Sequence, residues 1–279
     1  MAFGLFKKRA LQDRAEMSFV DHLEVLRGHL FRSALAVAVG ATIVGYYNKF
    51  FIKKVLLGPT SADFPTYRAL CKVGHRLGLE DGLCMDEMHI LMQNTSVTGP
   101  MGMFFTVVFI GGLIIAFPYI FYEFWSFIKP ALTAKELNKT RGVIFWVSFL
   151  FFSGVFFGYF VIAPYTINFF SNFQLDEMIK NEWTIASYID TLTPLILGTG
   201  LAFQLPLVMY FLGKVGIVGP DYLRKMRKYA IVIIIIVSGF ITPPDVISQI
   251  IVSLPLLLLY EVSILLTARV KKEEEKEWE

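Results

Sequence analysis

A chain of 279 residues that is 55% hydrophobic and 15% aromatic, with only 18% charged, carries more apolar surface than a soluble core of that size can hide. Its mean hydropathy of +0.58 points the same way, so a water-soluble globular domain is excluded and an integral membrane protein is expected. The net charge of +3 is small, and without basic residues interleaved with stacking aromatics it offers no footing for a nucleic-acid partner.

The amino-terminal "MAFGLFKKRALQDRAEMSF" is basic but lacks the apolar stretch of about 7 to 15 residues that a cleavable secretory signal needs, so the first span is expected to stay in the membrane. Six apolar windows follow, at 30–51, 102–124, 142–160, 192–212, 229–241 and 246–267. Most approach the roughly 20 residues that cross about 30 Å of hydrocarbon. Runs such as "YAIVIIIIV" lack the in-out alternation of a barrel strand, so the spans are helices and the fold class is an all-α membrane protein. The chain divides into an amino-terminal segment 1–29, a six-helix transmembrane domain 30–267 with a long external loop 52–101, and a charged tail 268–279, "RVKKEEEKEWE" at its end, that is expected to be disordered.

Basic residues set the orientation, because loops rich in Lys and Arg stay cytoplasmic. Alternate polar segments hold 19 of the 26 on one side and 7 on the other, which places both termini in the cytoplasm. Lys53 and Lys54, at the outer end of the first span, run against this trend.

Within the external loop, Phe64, Tyr67, Leu70, Cys71 and Leu77 recur near helical spacing, and Gly78 is a stop signal. An amphipathic helix on the outer surface is expected. The only two cysteines, Cys71 and Cys84, both fall in this loop, and a bond closing their 14-residue ring would contribute about 3 kcal/mol. Unpaired thiols are the plain alternative. A zinc site with His75 and His89 fits no usual ligand spacing.

Between the second and third windows stands "FPYIFYEFWSFIKPALTAKELNKTRG". Tyr122, Trp125 and Phe127 suit a headgroup belt. A belt and a helix end explain the aromatics, yet do not require the whole order of residues. That order resembles the first cytoplasmic loop of the TatC family, the multispanning component of the twin-arginine protein translocase, which reads much like "YxxWxFixPALxxxE". Three further stretches agree: "SFVDHLEVLRGHL" is similar to the family's amino-terminal "HLxELRxR", "GPDYLRKMRKY" to its fourth-to-fifth-span loop, and "TPPDVISQ" to its last external turn. The likeness runs over 18–268.

The resemblance implies a concave bundle of six helices whose last two are short. It implies a non-enzymatic function, with no cofactor and no metal: recognition of Arg-Arg signal peptides and a core for exporting folded proteins, driven by the proton-motive force. Implied partners are single-span subunits of the TatA and TatB type, folded precursors, the bilayer, and further copies of the chain within the complex. Carboxylates at the cytoplasmic surface can bind guanidinium groups by bidentate, charge-assisted bonds. The residues at the matching positions are Glu136, with Glu24 and Arg27 from the amino-terminal motif, and Phe127, Pro130 and Leu132 shaping the surface nearby.

This chain departs from the pattern in places. Val25 stands where the family has glutamate, and Glu24 lies one place earlier, a rotation of about 100° on a helix. His29 replaces a usual basic residue. Gln204, in the middle of the fourth window, stands where the family often has glutamate, and it can offer a hydrogen bond to a partner helix but no charge. Pro243, Pro244 and Asp245 form the external turn, where Asp245 reads equally as the cap of the following helix and as a functional group.

Two rival functions fit less. A secondary transporter for a small solute would explain proline-broken helices, but neither an internal repeat nor a pair of buried carboxylates is evident. An intramembrane protease would need a nucleophile and base, or an aspartate pair, inside the spans.

Overall fold

The computed structural model describes residues 19–61, 63–76, 78, 92–129, 142–173, 176, 182–214 and 216–278. These form an all-α, multispanning protein. Five helices are long and apolar enough to cross a membrane, at His22–Tyr46, Gly99–Ile128, Val143–Asn172, Ile185–Lys214 and Val246–Arg269.

In chain order the helices are α1 (Phe19–Tyr46), α2 (Pro65–Arg76), α3 (Gly99–Ile128), α4 (Val143–Asn172), α5 (Ile185–Ala202), α6 (Leu205–Lys214), α7 (Pro220–Lys225), α8 (Arg227–Ile241) and α9 (Val246–Trp278). A parallel pair of two-residue strands, β1 (Met92–Gln93) and β2 (Trp183–Thr184), is the one sheet among the described residues. The expected amphipathic helix is α2, and Gly78 follows it at φ +71°, a left-handed conformation that suits glycine at a helix end. Cys71 lies on α2 and is disulfide-bonded, while Cys84 lies outside the described residues.

Two expectations need correction. The tail is not disordered as far as Trp278: α9 runs 33 residues without a break, because Lys and Glu are strong helix formers and extend the apolar span into water. Only one of the last two helices is short, α8 with 15 residues, since the apolar part of α9, Val246–Arg269, is itself 24 residues long.

The chain forms two compact units. In the first, containing α1 and most of α3, the two helices run antiparallel and meet most closely at glycine. A Cβ on Gly40 would lie 2.6 Å from the Gly112 carbonyl oxygen, and one on Gly112 would lie 2.5 Å from the Ala41 nitrogen. Only backbone against backbone fits there, as small residues permit in membrane helix pairs.

The second unit holds α2, most of α4, and α5 to α9. Its core includes Ile162, Leu195, Val252, Leu256 and Ile264. Hydroxyl pairs stitch the helices together, Ser238 Oγ to Ser253 Oγ at 2.7 Å between α8 and α9, and Thr166 Oγ1 to Ser248 Oγ at 2.9 Å between α4 and α9. The segment 51–60 after α1 is fastened by tyrosines. Tyr159 donates to the Val55 carbonyl at 2.7 Å and Tyr188 to the Leu56 carbonyl at 2.6 Å, which supplies partners to carbonyls at the end of the π-helical turn Phe51–Leu56. The Tyr67 hydroxyl stands 2.7 Å from the Pro59 oxygen and 3.1 Å from the Pro164 oxygen, and burial pushes its phenol pKa up. Pro164 brings no N–H to the Phe160 carbonyl one turn back, and Thr66 Oγ1 donates to that carbonyl at 2.5 Å.

Candidate functional site

Three residues of α3, Tyr119, Glu123 and Phe127, stand four apart and so share one helix face. On α1 the residues that meet this face include His22 and His29. The ring of Phe127 lies 4.6 Å from that of His22 and 6.0 Å from that of His29, centroid to centroid. Phe127, chosen from sequence as a surface-shaping residue, therefore docks the end of α3 against the amino-terminal motif.

One turn deeper, Glu123 is only 3% exposed. Its Oε2 lies 2.5 Å from His29 Nδ1 and 3.8 Å from Arg32 Nη1. An apolar surrounding makes a bare carboxylate costly, so the histidine, the arginine and the Tyr119 hydroxyl, which also bonds this carboxylate, together make its burial tenable. Sequence reasoning missed Glu123. Two signals pointed to it: a lone acid inside an apolar window, and a histidine standing where the family has a basic residue.

Glu24 and Arg27 are exposed on α1. Val25 is 39% exposed and lies one turn before His29, on the side of the helix that turns toward α3. Pro130, Leu132 and Glu136 lie outside the described residues. Of the six proposed recognition residues, Phe127, Glu24 and Arg27 are thus placed, and Phe127 is the one seated against another helix.

The "GPDYLRKMRKY" stretch forms α7 and the start of α8. Gly219 precedes Pro220 at the first helical turn, and Arg224 Nη1 reaches Asp221 Oδ1 at 3.3 Å. Arg227 pairs with Glu261 of α9 at 2.8 Å, and Tyr260 donates to the Leu223 carbonyl at 2.8 Å.

Gln204 marks a break. The helix ends at Ala202 and resumes at Leu205, and Pro206 follows within the new first turn. The Gln204 carbonyl accepts from both Leu207 N and Val208 N. In the turn between α8 and α9, Asp245 is 6% exposed and accepts from Ser248 N at 2.6 Å through Oδ1, which is the N-cap geometry for α9. Its Oδ2 is buried without a hydrogen-bond partner among the described residues. Pro243 supplies its carbonyl to Asp245 N at 2.7 Å, and Pro244 is exposed.

Residues 21–255 match the family model described as "Sec-independent protein translocase protein (TatC)". The chain is 39% identical over 264 residues to the Sec-independent protein translocase protein TatC of Blattabacterium sp. subsp. Periplaneta americana, covering 93% of this chain and 98% of that one. It is 31% identical to the TatC of Aquifex aeolicus, over 93% of this chain and 100% of the other. A crystal structure of the twin arginine translocase receptor TatC superposes with a TM-score of 0.68 at 30% identity, covering 90% of this chain and 99% of that one.

Proposed function

Since this chain belongs to the TatC family of Sec-independent protein translocase proteins, we infer that it recognises Arg-Arg signal peptides and forms the core for export of folded proteins across the cytoplasmic membrane. It acts by binding and assembly, with no covalent step. The observation that carries the receptor reading is the contact of Phe127 with His22 and His29. Through it the end of α3, just before Pro130, lies beside the amino-terminal motif, so two motifs far apart in sequence meet there.

Glu136 is the main acid for the signal arginines in this reading, and Glu24 is secondary. Arg27, Pro130 and Leu132 complete the surface. Support comes from the charge chemistry of guanidinium recognition and from the match of both motifs to the family.

α8 completes a set of six spans. Its 15 residues extend about 22 Å, short of the roughly 30 Å of hydrocarbon, so the bilayer thins locally or neighbouring helices cover the gap. Both termini face the cytoplasm, as the distribution of basic residues implies, and the boundaries at 29, 52, 101 and 267 mark where the chain leaves the membrane domain. Cys71 pairs with Cys84, the only other cysteine in the chain. Gln204, at the helix break, is a contact for partner helices. Single-span TatA- and TatB-type subunits and further copies of this chain complete the complex.

Photo-crosslinking from position 136 to a twin-arginine signal peptide in membranes tests the receptor reading, with a Lys-Lys peptide as control. Equal labelling of both peptides, or labelling of neither, counts against it.

A further inference from the structure

Helix α2 has two unlike faces. Tyr67 and Gly74 are buried against the second unit, with Phe64 just before the helix. Opposite them, Arg68, Lys72, His75 and Arg76 recur at i, i+4, i+7 and i+8 and are all exposed, with Arg68 pairing at 2.8 Å to the still more exposed Asp63, an ion pair that solvent leaves weak. This is a basic stripe on a helix whose other side is anchored.

The height of the stripe follows from its anchors. α4 begins at Val143, and about 20 residues of helix cross the hydrocarbon, which brings the far boundary near Ile162. α2 is fastened there, by Thr66 to the Phe160 carbonyl, by Tyr67 to the Pro164 carbonyl, and by the Phe64 ring stacked 5.5 Å from that of Phe160. The remainder of α4 continues beyond the boundary to Asn172. The basic stripe therefore stands at the level of the headgroups. Lys53 and Lys54, also exposed, belong to the π-helical turn whose carbonyls Tyr159, at the same level of α4, holds.

In the topology proposed above, on which this inference rests, positive charge on the external side opposes the usual distribution of Lys and Arg, which makes an external cluster of five such residues at one depth informative. Phosphate groups of anionic phospholipid are the complementary charge at that depth. The long stems of Lys and Arg suit the position, since they lie along apolar surface while the charged ends reach water or phosphate.

We propose that α2 is an interfacial lipid-binding helix, which holds anionic phospholipid headgroups of the outer leaflet through Arg68, Lys72 and Arg76, with Lys53 and Lys54 extending the same surface. The site is independent of the signal-peptide receptor residues.

The test uses the purified full-length protein in nanodiscs of phosphatidylcholine alone and in nanodiscs containing phosphatidylglycerol. It compares the parent with Arg68→Gln/Lys72→Gln/Arg76→Gln and with Arg68→Lys/Arg76→Lys. Phosphatidylglycerol is expected to raise the Tm of the parent and slow hydrogen exchange over 65–76, with both effects kept by the lysine variant and lost by the glutamine variant. By titration, the glutamine variant should bind phosphatidylglycerol about a hundredfold more weakly. In phosphatidylcholine alone its Tm should equal that of the parent.

The proposal is overturned if phosphatidylglycerol stabilises parent and glutamine variant equally. It is also overturned if the glutamine variant loses the same Tm in both lipids, which would assign the stripe to ion pairs within the chain, with Asp63 or with the acidic run Glu80, Asp81, Asp86 and Glu87. Stabilisation by soluble glycerol phosphate matching that by the lipid would assign it to a free anion instead.

Discussion

His29 Nδ1 and Glu123 Oε2 stand 2.5 Å apart, across the interface of α1 and α3, with the carboxylate side chain only 4% exposed. A buried pair of this kind is defined by what happens when one partner goes. His29→Ala leaves the carboxylate with the Tyr119 hydroxyl and with Arg32 at 3.8 Å, in a site that water scarcely reaches, and is expected to cost about 1 to 3 kcal/mol. Adding Glu123→Gln to His29→Ala should recover much of the loss, because the uncompensated charge is then gone. Thermal unfolding of the two single variants and the double variant in detergent checks this. A double variant no more stable than His29→Ala would mean that the pair is not the source of the cost.

The approach of Gly40 to Gly112 makes a second prediction. An alanine at either place puts a methyl within 2.6 Å of backbone that cannot rotate away, so Gly40→Ala and Gly112→Ala should each destabilise by about 1 to 3 kcal/mol. Gly102→Ala, on the same α3 with nothing within 4 Å of the added carbon, is the control. It should be neutral or stabilise by up to about 1 kcal/mol, since alanine favours a helix over glycine.

Asp245 offers a way to separate cap from function. Asp245→Asn keeps an oxygen for Ser248 N and should leave the Tm nearly unchanged, whereas Asp245→Ala should cost about 0.5 to 2 kcal/mol. Export of a twin-arginine reporter is then the second readout. If the asparagine variant exports normally, the cap accounts for the residue. Lost export at unchanged Tm would assign work to the buried Oδ2 and its charge.

Each charge-assisted bond between a carboxylate and a signal arginine is worth about 1.5 to 3 kcal/mol, roughly ten- to more than hundredfold in affinity. Glu136→Gln is therefore expected to abolish most signal-peptide crosslinking while insertion into the membrane is unchanged. Glu24→Gln should cost less. The shifted variant Glu24→Val with Val25→Glu should bind at least as well as the parent, because it returns the acid to the family's register. Normal binding by Glu136→Gln with loss in Glu24→Gln would reverse the ranking.

Five of the six expected spans, the amphipathic helix α2 and the helix-ending Gly78 were legible from period and composition alone. The cap at Asp245 was one of two readings that the sequence left open, and the bond from Ser248 N to Oδ1 supplies it. Helix α1 was not bounded well. Its apolar window begins at 30, yet the helix starts at Phe19, since the polar turn "DHLEVLRGH" forms helix as readily as the apolar run that follows. The continuation of α9 through the charged tail was missed for a like reason, composition being a guide to solvation and a poor guide to backbone. Glu123 was hidden differently. Periodicity locates it on α3 but does not say which face of α1 will meet it, and the pairing with His29 joins residues 94 apart in the chain. Motif matching brought Phe127 forward without revealing that its ring seats between two histidines.

The bond from Thr66 to the Phe160 carbonyl has a consequence for how such chains vary. The turn Gly158–Ile162 is π-helical, with Ala163 N on the Gly158 carbonyl five residues back, and Pro164 brings no N–H at all, so the register shift and the proline together leave carbonyls of this turn open to a donor from α2. The order of change is constrained: relatives that keep both the widened turn and the proline are expected to keep Ser or Thr at the position of Thr66, and loss of that hydroxyl is expected only where one of the two has gone.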